Sequence, residues 1–263
     1  MTGELASDDR APEFPALQRV MPGAAFDWLA AGWRDLVATR FAGIVYGVVF
    51  AAMGIAISIV YATYWQLTMG LIGGFFLLGP FVATGLYELS RRREAGESIG
   101  LVSSLTCWRR NPGSIALFAV ILAFVMIVWA RVSVILFALS SNTSFPTVQD
   151  MLWLIVSLDN LPFLGLWAAV GALFATLVFA ISVVAVPMML DRDSDTLTAV
   201  FTSVRALIAN PLPMLVWASV IVAVIGLSLL AGFLPLVLTG PLVGHATWHA
   251  YRATVASPVE RER

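Results

Sequence analysis

Two histidines, His245 and His249, stand four residues apart and are the only ones in the chain. On a helix that spacing puts both rings on one face, a geometry that can ligate a metal or approach a haem. No acidic residue or cysteine sits at partner spacing, so they are weak cofactor-binding candidates, and no catalytic residue, metal or cofactor is expected. Their other reading is electrostatic. His249 lies near the end of an apolar stretch, where it suits the negative end of a helix dipole, and His245 can bond across to a neighbouring helix. Glu88 and Arg131 are the other ionisable residues within strongly apolar surroundings. Charge is costly there, so each is a default functional candidate for an intramembrane polar contact. The lone Cys107 precedes Trp108, Arg109 and Arg110. Nearby cations would lower its pKa, and a single cysteine excludes an intrachain disulfide and a CxxC site.

The elements that must hold these residues follow from composition. The 263 residues are 60% hydrophobic and 12% charged, against roughly half and a quarter in soluble domains. A bilayer must therefore solvate much of the chain. The formal net charge of -1 gives no argument for nucleic acid. All 15 basic residues are arginine, a bias read as genome composition. There is no HExxH, GxSxG, Walker A or dinucleotide fingerprint, and no carboxylate at mid-membrane of the kind that marks ion-coupled transport.

A helical span needs about 20 apolar residues. Six stretches approach that length: Phe41–Thr63, Leu67–Leu89, Ser114–Leu139, Leu161–Leu190, Pro213–Gly232 and Phe233–Tyr251. A turn near Trp65–Gln66 separates the first two. Gly232-Phe233-Leu234-Pro235 separates the last two, either as a hairpin or as a kinked helix with a re-entrant segment. The link 140–160 has room for a short interfacial helix over Val148–Leu158. Arginines mark the cytoplasmic side when loops are short. Arg34 and Arg40 precede the first span, Arg91–Arg93, Arg109 and Arg110 follow the second, Arg192 and Arg205 the fourth, and Arg252 the sixth. Both termini are then cytoplasmic. Arg131, within the third span, is close enough to its outer end to snorkel outward, with Asp150 and Asp159 as candidate partners. The expected organisation is a disordered N-terminus over 1–20, a transmembrane domain over 21–252 and a cytoplasmic tail over 253–263; the polar leader is not a signal peptide.

The segments before the odd spans share an apolar stripe at helical spacing. The stripes are Phe26, Leu29, Trp33, Leu36 and Val37; Ile99, Val102, Leu105 and Trp108; and Leu197, Val200, Phe201, Val204, Leu207 and Ile208. Each is too short to span and suits a flat interfacial helix. The second and third end at Asn111-Pro112 and Asn210-Pro211, where proline turns the chain. Among the even spans, Gly79-Pro80 with Tyr87 and Arg91 matches Gly240-Pro241 with Trp248 and Arg252, and Pro187 offers a shorter version. The expected fold is thus an all-α membrane protein with six transmembrane helices, built as three repeats of interfacial amphipathic helix plus transmembrane hairpin. The repeat aligns Glu88 with His249, so these two are expected to approach each other. Gly43-xxx-Gly47-xxx-Ala51, Gly70-xxx-Gly74 and Gly240-xxx-Gly244 allow close helix contact, within the chain or in a homo-oligomer.

The N-terminal Arg19-Val20-Met21-Pro22-Gly23, the helix around Trp28–Leu36 and the Gly-Pro motif followed by Tyr87-Glu88-Leu89-Ser90-Arg91 carry a family resemblance. Over about residues 17–255 the chain resembles an uncharacterised bacterial integral membrane protein family, a domain of unknown function whose members often carry the label cytochrome c oxidase subunit I-like. The resemblance implies a bacterial inner-membrane location and brings no functional residues with it. The oxidase label fits poorly, because two neighbouring histidines cannot supply the ligands of two haems and a copper. The expected role is non-enzymatic: an accessory or scaffold component whose partners are the lipid bilayer and another membrane complex. A small-solute transporter or channel and a haem- or metal-binding redox subunit are the alternatives.

Overall fold

The computed structural model describes residues 14–63, 82–140 and 161–256, and the described part is helical apart from turns and a single antiparallel bridge, Leu17 to Val255. The helices are α1 (Ala24–Thr39), α2 (Phe41–Thr63), α3 (82–94), α4 (Leu101–Leu105), α5 (Pro112–Ser140), α6 (Leu161–Ser182), α7 (Ala185–Arg192), α8 (Thr196–Ala209), α9 (Pro211–Leu230) and α10 (Leu236–Thr254). A 3-10 turn, Cys107–Arg110, lies between α4 and α5.

Three described segments are long and apolar enough to cross a membrane: Pro112–Ser133, Gly165–Arg192 and Pro211–Leu230. A fourth candidate is the pair α1 and α2, bent by 107° at Arg40, whose φ is 27°. That bend lays α1 across the end of α2. Six spans are more than these helices show. Most of Leu67–Leu89 lies outside the described residues, as do Trp65–Gln66, Gly70, Gly74, Gly79-Pro80, Val148–Leu158, Asp150 and Asp159. The Phe233–Tyr251 stretch is helical as α10 but does not pass as a span. Its Thr, His, Trp and Tyr side chains are turned into protein, which removes the need for an apolar surface. A turn at Gly232 and Phe233, both at positive φ, separates it from α9, and Ser228 Oγ lies 2.8 Å from Thr239 Oγ1 across the pair. The break is a helical hairpin.

The core sits at the arginine-rich end. Of the most apolar windows of the three spans, only 17%, 28% and 22% is buried. The fully buried large side chains instead include Trp217, Trp248, Tyr251, Met188, Met189 and Met214. α10 is the element the others close upon. Gly32 of α1 faces the Ala246 backbone, where an added Cβ would come within 2.7 Å of its nitrogen; Gly47 of α2 faces the Val237 carbonyl with no room for a side chain at all. Gly244 leaves space for Leu86 in the same way.

The amphipathic segments are placed the opposite way round from soluble helices. In α1 the stripe residues Phe26, Trp33 and Val37 are exposed, Leu29 is half-buried and Leu36 is buried, alongside Ala25, Gly32, Asp35 and Thr39. In α8, Leu197, Phe201 and Ile208 are exposed, Val200, Val204 and Leu207 are half-buried against the core, and Thr196, Ala199, Thr202, Ser203 and Ala206 are buried. The same holds for Ile99, Val102, Leu105 and Trp108 against buried Ser104 and Cys107. This second segment is not one helix, as its spacing suggests. It breaks at Thr106, where hydroxyls of Ser103, Ser104 and Thr106 return to carbonyls of the preceding turn, a competition that shortens helices.

Both prolyl junctions behave alike. Asn111 (φ -137°, ψ 62°) and Asn210 (φ -132°, ψ 56°) leave helical geometry, and α5 and α9 begin at the following proline. Asn111 Nδ2 donates to the carbonyls of Met189 and Ser194, and Asn210 Nδ2 to that of Gln18, while Val20 N–H donates to Asn210 Oδ1. Residues 14–20, grouped on composition with the disordered leader, are thereby held in place. Gln18 N–H donates to the Thr254 carbonyl and Ala256 N–H to that of Ala16, so Val255 and Ala256 of the expected tail belong to the same clasp.

Candidate functional site

A buried polar cluster joins α1, α3 and α10 at the arginine-rich end. Asp35 comes from the small face of α1, Ser90 and Arg93 from α3, and His245 and His249 from α10. Their meeting depends on the glycine contacts, since Gly32 lets α1 lie directly on α10 one turn from Asp35. Ser90 Oγ donates to Asp35 Oδ2 at 2.5 Å and lies 2.8 Å from His245 Nδ1. The hydroxyl has one proton, which Asp35 takes, so the His245 contact must be donated by the ring N–H. A neutral His245 then presents Nε2 as an acceptor 3.3 Å from Thr39 Oγ1, whose single proton it shares with the Leu36 carbonyl at 3.4 Å. His249 Nε2–H donates to Asp35 Oδ2 at 2.9 Å, and Arg93 donates to Asp35 Oδ1.

The result is an ordered chain of hydrogen bonds, Thr39 to His245 to Ser90 to Asp35, with His249 and Arg93 closing its outer end. Asp35 and Ser90 are each 1% exposed and His245 0%. Burial pushes the Asp35 carboxyl up, but the hydrogen bonds from His249 and Ser90 outweigh it and hold the group below the usual carboxylate value. An ionised buried carboxylate needs such donors. Both nitrogens of His245 are engaged, and Ser90 gives its proton to a carboxylate rather than to a histidine base. The arrangement holds helices and orders protons; it lacks the hydroxyl-to-imidazole donation of a nucleophilic triad.

Glu88 heads a second cluster. It is 1% exposed and accepts from Arg91 Nε at 2.8 Å, Arg92 Nε at 2.7 Å and Arg110 at 3.3 Å. Arg91 also pairs with Glu97 at 3.0 Å. Glu88 and His249 therefore do not pair: Arg91, Arg92 and Arg110 take Glu88, and Asp35 takes His249. A third seam joins α3, α7 and α10. Trp248 Nε1–H and Arg252 donate to Glu94, at 2.9 and 3.0 Å, and Tyr251 donates to Asp191 at 2.6 Å. Arg91, Glu94, Ala95, Asp191, Trp248 and Arg252 line a cleft of about 260 Å³ between these ends.

Arg131 is exposed on α5, far along the span from these clusters, and makes no ion pair among the described residues. Cys107 is buried, and that burial pushes its thiol up despite a contact with Thr84, the reverse of the activation its arginine neighbours suggest. No group of three His, Cys, Asp or Glu arranged to hold a metal occurs among the described residues. Asp35, Ser90 and Thr39 were not legible as site residues. For Asp35 and Thr39 the signal was the small, polar face of α1 with Gly32, too short in side-chain reach for a solvated face and suited to close packing; Ser90, on α3, had none.

No curated protein and no solved structure matches the chain. Residues 67–191, just under half of the chain, match the family model DUF2189, described as a predicted integral membrane protein, which is similar in kind to the uncharacterised membrane family that the sequence resembles.

Proposed function

We propose that the protein is a non-enzymatic scaffold of the bacterial inner membrane, an accessory component on which another membrane complex assembles. The carrying observation is the distribution of its order: the polar groups at the arginine-rich end are tied to one another, while the spans present largely unburied apolar faces. A rigid head with open helical flanks suits helix–helix association with partners in the bilayer. The cyclic contacts support a threefold reading with six spans. α2 reaches the second amphipathic segment through Tyr46 and Ser104, α5 reaches α8 through Ser114 and Thr196, and α9 reaches α1 through Trp217 and Trp28. In this reading the arginine-rich end and both termini are cytoplasmic, as short-loop arginines favour.

Purification in mild detergent, with identification of co-purifying chains, tests the role. A reproducible stoichiometric membrane partner is expected; a chain that always emerges alone would sink it. The redox alternative is weakened by His245, whose ring nitrogens both have hydroxyl neighbours. Optical spectra and metal analysis of the purified protein address it directly.

A further inference from the structure

We infer that the 3-10 turn Cys107–Arg110 and the α4 face before it form a docking site for an anionic phospholipid. The inference rests on the proposed placement of this end at the cytoplasmic leaflet. Val102 is 76% exposed, Leu105 54% and Trp108 47%, a continuous apolar strip beginning at Ile99. Arg109 and Arg110 follow at once. The Arg109 guanidinium lies 5.5 Å from the Trp108 ring centre and has no carboxylate partner among the described residues. Arg110 is 42% exposed and holds Glu88 only at 3.3 Å, behind two closer arginines. Among the described residues, Arg91, Arg92, Arg109 and Arg110 form ion pairs with Glu88 and Glu97 alone, four cations to two carboxylates, and no acidic residue occurs in the sequence between Glu97 and Asp150.

The occupant follows from the two surfaces being adjacent. A free anion would satisfy the arginines and leave the strip in water, and an acidic soluble peptide would do the same. A phospholipid sets its phosphate on the guanidinium groups and its acyl chains beside the strip, with Trp108 at the headgroup level where indole rings settle. Basic residues bordering a membrane helix attract anionic lipid in this way.

The test uses the full chain in detergent, titrated with phosphatidylglycerol or phosphatidylcholine and followed by native mass spectrometry and melting temperature. Selective retention of phosphatidylglycerol is expected. Arg109→Gln should weaken it about fivefold and Arg109→Gln with Arg110→Gln further, while Arg109→Gln melts like the parent in phosphatidylcholine. Arg205→Gln, on α8, should retain the lipid normally. Equal binding of both lipids, an unaffected Arg109→Gln, an equal loss in Arg205→Gln, or equal protection by inorganic phosphate would each overturn the site. Placement is read separately, from protease access to a terminal tag in inverted and right-side-out vesicles. A tag cut only in right-side-out vesicles overturns the placement without altering lipid binding in detergent.

Discussion

Arginines serve the two surfaces of this end differently. Those on α3, α7 and α10 point into the molecule. Arg91 and Arg92 meet Glu88, Arg93 meets Asp35, and Arg252 meets Glu94. Those on the outward amphipathic segments rest on carbonyls and rings. Arg34 donates to the Ala30 carbonyl of its own helix, Arg109 covers Trp108, and Arg205 lies 5.1 Å from the Phe14 ring centre. Arg110 stands between the two sets. The inward arginines neutralise buried acids and fix helix against helix. The outward ones keep their charge available. One residue type, biased throughout the chain, thus does structural work in one ring and surface work in the next.

The comparison breaks first at Asp35. Asp35→Asn leaves Arg93 and His249 without their carboxylate and should cost about 3–5 kcal/mol, as breaking other buried pairs does, read as a large fall in detergent melting temperature. Glu88→Gln should cost about 2 kcal/mol, less because its arginines are partly exposed and can turn to water or Glu97. If both variants melted like the parent, the inward set would be no different from a surface one.

Acid sharpens the same contrast. The folded Asp35 carboxyl lies below its ordinary value, so its contribution is full above the unfolded pKa and is lost as pH falls through the folded one. The difference in melting temperature between parent and Asp35→Asn should stay level from neutral pH to about 5 and shrink below about 4. A difference that faded near neutrality would mean that another group controls the cluster. At the small end, Arg205→Gln should change stability by less than about 0.5 kcal/mol, measured in the same detergent.

Much of the helical order could be read from sequence because proline, glycine and apolar runs act locally. Pro112 and Pro211 start α5 and α9, and Gly232 ends the hairpin's first arm, as their backbone limits require. The amphipathic stripes were legible too. Their outward direction follows only once lipid is the solvent, because an apolar face then needs no protein cover and the small face does the packing. Helix pairing was the part out of reach. Repeat position aligned Glu88 with His249, yet the rotation of α3 about its axis delivers Ser90 to His245 and gives Glu88 to three arginines. Asp35 carried no signal of its own, since nothing near it in the chain announces that Gly32 draws α1 onto α10. The Cys107 neighbourhood misled for a related reason: its arginines flank it in sequence, but its burial decides the thiol.

The clasp between residues 16–18 and 254–256 has a consequence for how the chain can be rearranged. Ala16, Leu17 and Gln18 meet Thr254, Val255 and Ala256 through backbone bonds and a bridge, so the described ends are neighbours rather than free arms. A circularly permuted gene that joins them by a short linker and opens instead at the exposed Gly96 would preserve the hydrogen bonds of the clasp and every helix. Closure around α10 would then be seen as a property of the finished ring, independent of which segment leaves the ribosome first.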